Sequence, residues 1–187
     1  MTDEDTGAET EPGTRVSRAV TLGLLGAWIV HDIEELVMVP RWTREQVPGL
    51  RERFPEVPEA VWRRLAAAGD GRTFALAVGG VGLVVAAAAA DGRRTGGRSG
   101  FYQSALIGFG LHGGVHVAQA AAVRGYTPGS ATAPLVVIPF TLWARRRLRR
   151  AGVLRPARAR DAAWGLALAG AVTAGAHVVA GRLAARR

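Results

Sequence analysis

The chain has 187 residues, a formal net charge of +9 and a hydrophobic share of 49%. It contains no cysteine, which excludes disulfides, thiolate catalysis and cysteine-held metals, and leaves nitrogen and oxygen as the ligands for any ion. All of its positive charge is arginine, gathered at the ends of apolar runs as in Arg145 to Arg150 (RRRLRR), which suits lipid headgroups and argues against a nucleic-acid partner.

Taken in chain order, residues 1–15 form an acidic stretch almost without large apolar side chains, expected to be a disordered tail. It lacks the basic start of a signal peptide. Residues 16–187 are expected to form one membrane domain. A run of about 20 apolar residues crosses a hydrocarbon core of roughly 30 Å, and such runs occur at about 17–39, 73–90, 101–123, 131–148 and 161–183. The fold class expected is therefore all-α: a polytopic membrane bundle of five transmembrane helices. The polar segment 40–72 carries proline at 40, 48, 55 and 58, which should divide it into one or two short interfacial helices between the first and second spans. With five spans the termini lie on opposite sides. The arginines divide almost evenly between the sides, but the dense, uncompensated run Arg145 to Arg150 places its side, and with it the N-terminus, in the cytoplasm. The location expected is the cell membrane.

Polar residues inside these runs carry the functional signal. The first run contains His31-Asp-Ile-Glu-Glu35 (HDIEE), in which His31, Glu34 and Glu35 stand at i, i+3 and i+4, within one helical turn of each other. A charged group in the hydrocarbon costs a few kcal/mol and marks a partner or a site. The third run contains His112-Gly-Gly-Val-His116 (HGGVH), an i, i+4 pair whose imidazoles can share one ion. His177 lies in the fifth run, so all four histidines fall within apolar stretches. At a rise of about 1.5 Å per residue these groups fall about 17–27 Å along three spans that run the same way, which predicts a shared depth. Glycines around His112 and His116 allow close helix approach, and Gln119 continues their face by one turn. Asp32 projects about 100° away from His31. Beyond the third run, Tyr126-Thr-Pro-Gly129 is a turn, followed by Thr132; Tyr126 offers a hydroxyl to a substrate or anchors the interface.

HDIEE, HGGVH and the turn YTPGSAT before an apolar run resemble the HXXEE domain family of bacterial integral membrane proteins, from the first span through the fifth. Carried over by position, the family motif is His31, Glu34 and Glu35. The resemblance implies a shared membrane site and no particular reaction.

Buried carboxylates with no mid-span arginine to pair with must be protonated, solvated or metal-bound. The metal ligands expected are His31, Glu35, His112, His116 and His177, around zinc by preference, with iron or manganese as alternatives. Glu34, Glu35 and Tyr126 are the candidate catalytic residues, with Glu34 favoured as general base and Glu35 as ligand, the two roles being exchangeable. The function this implies is a metal-dependent intramembrane hydrolase using an acidified water on a lipid or another apolar, membrane-dissolved molecule. A di-iron oxidoreductase is a variant of it, short of the usual carboxylates. A proton-coupled carrier and a non-catalytic assembly subunit stand as alternatives.

Overall fold

The computed structural model describes residues 16–156 and residue 175, apart from the side chain of Ala68. The 1–15 tail, the 161–183 span and His177 lie outside the described residues. Every regular element among the described residues is helical. A single turn, α1 (Arg18–Thr21), leads through Leu22 into the long helix α2 (Gly23–Arg53). There follow α3 (Glu59–Ala68), α4 (Gly71–Arg94) and α5 (Gly100–Val123), then a π-helical turn (Ala133–Val137) that runs directly into α6 (Ile138–Arg150).

Helices α4 and α5 are long and apolar enough to cross a bilayer, and only 17% and 28% of their apolar stretches are buried inside the protein. Core helices of a soluble domain bury most of such a stretch. Here Leu83 and Leu135 are 75% and 76% exposed, and Ile33 and Val37 of α2 face outward as well. Large apolar side chains directed away from the core are the pattern that association with lipid requires. Both helices begin with a side-chain cap. Asp70 accepts from the Thr73 amide at 2.9 Å, and Ser99 accepts from the Tyr102 amide at 3.1 Å.

The segment 40–72 departs from the sequence expectation. Pro40 and Pro48 do not divide it, because α2 continues through both to Arg53. Each proline removes one amide donor and crowds the preceding turn, a cost of about 3 kcal/mol in a helix interior. Contacts to the end of α5 and to the turn after it hold the extension in place: Trp42 Nε1 donates to the Tyr126 carbonyl at 2.8 Å, and Arg53 Nη1 donates to that of Val123 at 3.1 Å. Pro55 does stop the helix, since Phe54 before it leaves the α region (φ −125°, ψ 66°). Only α3 is a short helix in this segment, and Pro58 stands at its N-cap.

The core joins Val20, Leu24 and Ala27 near the chain start to Tyr102, Leu106 and Phe109 of α5 and to Val137, Ala144 and Leu148 around α6. The Tyr102 hydroxyl, buried among them, donates to the Val20 carbonyl at 2.5 Å. Close approach depends on glycine: a Cβ at Gly113 would lie 2.8 Å from Val137 Cγ1. The π-helical turn can therefore seat directly on α5, one residue from His112, and this brings the chain after the 126–132 turn beside the histidine pair.

Candidate functional site

Two helices and one turn build the site. Helix α2 supplies His31, Glu34 and Glu35, α5 supplies His112 and His116, and the turn after α5 folds back between them. His31 is fully buried and His116 is 6% exposed. His112 Nε2 lies 3.1 Å from His31 Nε2 and 2.9 Å from His116 Nε2, and Glu35 Oε1 lies 3.3 Å from His116 Nε2. One ligand atom from each of these four residues falls within 4.8 Å of every other. The two i, i+4 pairs, His31/Glu35 and His112/His116, thus face each other across the α2–α5 interface.

The outer nitrogens show where the protons reside. A carbonyl oxygen only accepts, so His116 Nδ1 carries a proton and donates it to the Pro128 carbonyl at 2.8 Å. His31 Nδ1 lies 2.7 Å from Thr132 Oγ1, whose own hydroxyl donates to Glu34 Oε2 at 2.6 Å. His31 therefore donates from Nδ1 to that hydroxyl oxygen. In the neutral imidazoles both Nε2 atoms then present lone pairs inward. A proton on His112 Nε2 can satisfy one of its two short contacts and not both. The remaining lone pairs repel unless a cation stands among them. A tetrahedral ion with bonds of about 2.0–2.1 Å to nitrogen separates its donor atoms by about 3.3 Å, close to the neighbour distances of 2.9, 3.1 and 3.3 Å within a set that lies inside 4.8 Å. The donor set fits a divalent ion.

The two glutamates have different surroundings. Glu35 faces the imidazoles. Glu34 accepts five hydrogen bonds from the turn: from the Tyr126 hydroxyl at 2.7 Å, the amides of Gly129, Ala131 and Thr132 at 3.2, 3.3 and 2.8 Å, and the Thr132 hydroxyl. Both its oxygens are occupied in clasping the turn to α2. Tyr126 lies outside the apolar helices. Partial burial, then the bond to Glu34 and the nearby carboxylates, holds its phenol protonated well above the usual range, so it serves as a donor.

Gly129 is the tightest point of the turn. Its φ is +82°, and a Cβ there would lie 2.6 Å from His116 Nδ1 and 2.9 Å from His31 Cε1. Both the backbone conformation and the space exclude other residues.

Of the residues singled out from the sequence, His31, Glu35, His112 and His116 come together, Glu34 and Tyr126 join at the flank, and His177 lies outside the described residues. Gln119 is exposed and makes no hydrogen bond among the described residues, so it does not support the pair. Asp32 is buried, 7% exposed, and also makes no hydrogen bond among the described residues. Sequence reasoning missed the parts played by Thr132, the Pro128 carbonyl and Gly129. The one available signal was the turn YTPGSAT itself, which ends in a hydroxyl beside an apolar run. His112 alone of the three imidazoles is exposed. The cluster opens on that side, beside the outward Leu111 and Val115 of α5.

Fold and site together define a helical protein in which three imidazoles and a carboxylate meet at ligand spacing between two helices. The family model described as "Protein of unknown function with HXXEE motif" matches residues 22–144, and the chain belongs to that family. No match is found among curated proteins or among solved structures.

Proposed function

We propose that this HXXEE protein is a five-span membrane protein, N-terminus in the cytoplasm, that holds one divalent cation and hydrolyses a lipid or another membrane-dissolved substrate. The observation that carries the reading is the meeting of three imidazole Nε2 atoms at 2.9 and 3.1 Å, with the Nδ1 protons of His31 and His116 already committed elsewhere. His31, His112 and His116 are the nitrogen ligands. Zinc is preferred because the set is imidazole-rich, and iron or manganese suits the same donors. Glu35 is the one carboxylate in the cluster among the described residues, fewer than a di-iron centre usually takes. A divalent ion bound here supplies an acidified water and polarises a carbonyl or phosphoryl oxygen.

The protein's own groups divide the remaining work. Glu35 would either complete the ligand set or serve as the general base, its carboxylate accepting a proton. Glu34 acts as a positioning residue: it holds Thr132, which holds the His31 ring, and the base role passes to Glu35. Pro128 fixes His116 in the same manner. The exposed edge of His112, among apolar side chains that face outward, supports entry of substrate from the bilayer.

Elemental analysis of the detergent-purified chain tests this. Wild type should carry about one divalent ion per chain and His112→Ala far less, with both remaining membrane-inserted. Glu35→Gln separates its two roles, because a ligand loses the metal whereas a base keeps it and loses turnover. Protein that purifies without metal and takes up neither zinc, iron nor manganese would overturn the hydrolase. The proton-carrier reading would then gain from Asp32, buried beside His31 with no hydrogen bond among the described residues, and proton flux in vesicles is its measurement.

A further inference from the structure

Where the continuation of α2 leans on the end of α5, the protein holds a cavity of about 620 Å³. Among the described residues its wall carries Arg41, Arg53 and Arg124 against a single carboxylate, Glu45, and adds the apolar side chains of Met38 and Leu50. Arg41 is paired with Glu45 at 2.9 Å, and Arg53 spends one donor on the Val123 carbonyl. Arg124 makes no side-chain hydrogen bond or ion pair among the described residues, and its backbone adopts the left-handed conformation at φ 53°. Glycine is preferred at that position after a helix, so an arginine there needs another reason. Among the described residues the cavity therefore holds two guanidinium charges in excess, one of them without a side-chain partner there, alongside an apolar wall. Guanidinium groups recognise phosphate by paired hydrogen bonds.

Tyr126 also lines this cavity, and its hydroxyl donates to Glu34 at 2.7 Å. The cavity and the histidine cluster thus share one wall. His116 stands seven residues before Val123 and His112 eleven, which sets the imidazoles about 10–17 Å deeper along α5 than its C-terminal end. We propose that the cavity binds the phosphate headgroup of an anionic amphiphile, leaving the rest of that molecule to extend towards the His31–His112–His116 cluster. This rests on the hydrolase reading and names its substrate class.

Calorimetric titration of the full chain in detergent, stripped of metal by chelator, tests headgroup binding apart from the metal. The probes are dihexanoyl phosphatidic acid, dihexanoyl phosphatidylcholine and inorganic phosphate. The variant is Arg124→Gly, which removes the guanidinium while relaxing the positive φ, so folding is not at risk. Phosphatidic acid should bind saturably, the choline lipid should bind at least about tenfold more weakly, and Arg124→Gly should weaken phosphatidic acid by about tenfold. Equal affinity of wild type and Arg124→Gly for phosphatidic acid would overturn the proposal. Inorganic phosphate binding as tightly as phosphatidic acid would overturn the amphiphile in favour of a soluble phosphate. Metal content is measured in the same preparations before stripping. Normal metal without anion binding defeats the headgroup site alone, and anion binding by protein that never carries metal defeats the hydrolase alone.

Discussion

Replacing Gly129 by alanine tests how the turn shapes the histidine cluster. A Cβ at this position would stand 2.6 and 2.7 Å from His116 Nδ1 and Cε1 and 2.9 Å from His31 Cε1. Ordinary carbon contacts begin near 3.5 Å, so both rings must withdraw by roughly half an ångström or more, or the turn must lift. The backbone adds its own penalty, because a side chain at φ +82° costs about 1–2 kcal/mol. Lifting the turn moves the Pro128 carbonyl that orients His116 and the Gly129 amide that bonds Glu34. Disturbing such supporting contacts typically lowers metal affinity by about 10–100-fold. The assay is competition for zinc against a coloured chelator, with thermal unfolding in parallel. Gly114→Ala is the control: a Cβ there meets nothing within 4 Å among the described residues, and alanine in a helix should gain about 0.5–1 kcal/mol. Gly129→Ala that matches wild type in zinc affinity would refute the claim that the turn sets the ring positions.

Thr132→Val removes the hydroxyl between Glu34 and His31; zinc affinity should fall by about 10–100-fold while Thr132→Ser restores it, read by the same competition. Asp70 caps α4, and its hydrogen bond from Thr73 holds its carboxyl below the ordinary range. The cap's contribution is therefore present above the unfolded carboxyl's pKa near pH 4 and is lost as pH falls through the lower folded value. Amide exchange at residues 71–74 should accelerate over that acid interval in wild type and show no such step in Asp70→Ala. Because the chain has no cysteine, single cysteines placed in 91–100 and in 124–130 report topology cleanly. Labelling from opposite faces of the membrane is expected, and labelling from one face would refute the five-span arrangement.

Local periodicity made part of this protein legible from its residues alone. The apolar runs coincide with α4 and α5, and helical geometry ties His31 to Glu35 and His112 to His116 whatever surrounds them, because a spacing of four residues closes about one turn. Turn chemistry at Pro128 and Gly129 was equally local. Tertiary contacts decided the rest. Glu34 and Glu35 are adjacent in the chain and chemically alike, yet about 100° of helical rotation sends one to the turn and the other to the imidazoles. Which of them does which depends on where residues 126–132 return, more than 90 positions away. Pro40 and Pro48 read as helix breaks until Trp42 finds a carbonyl in the turn after α5 and Arg53 one at the end of α5. Short-range sterics set which segments become helices; the long-range hydrogen bonds that close the site form only once those helices pack.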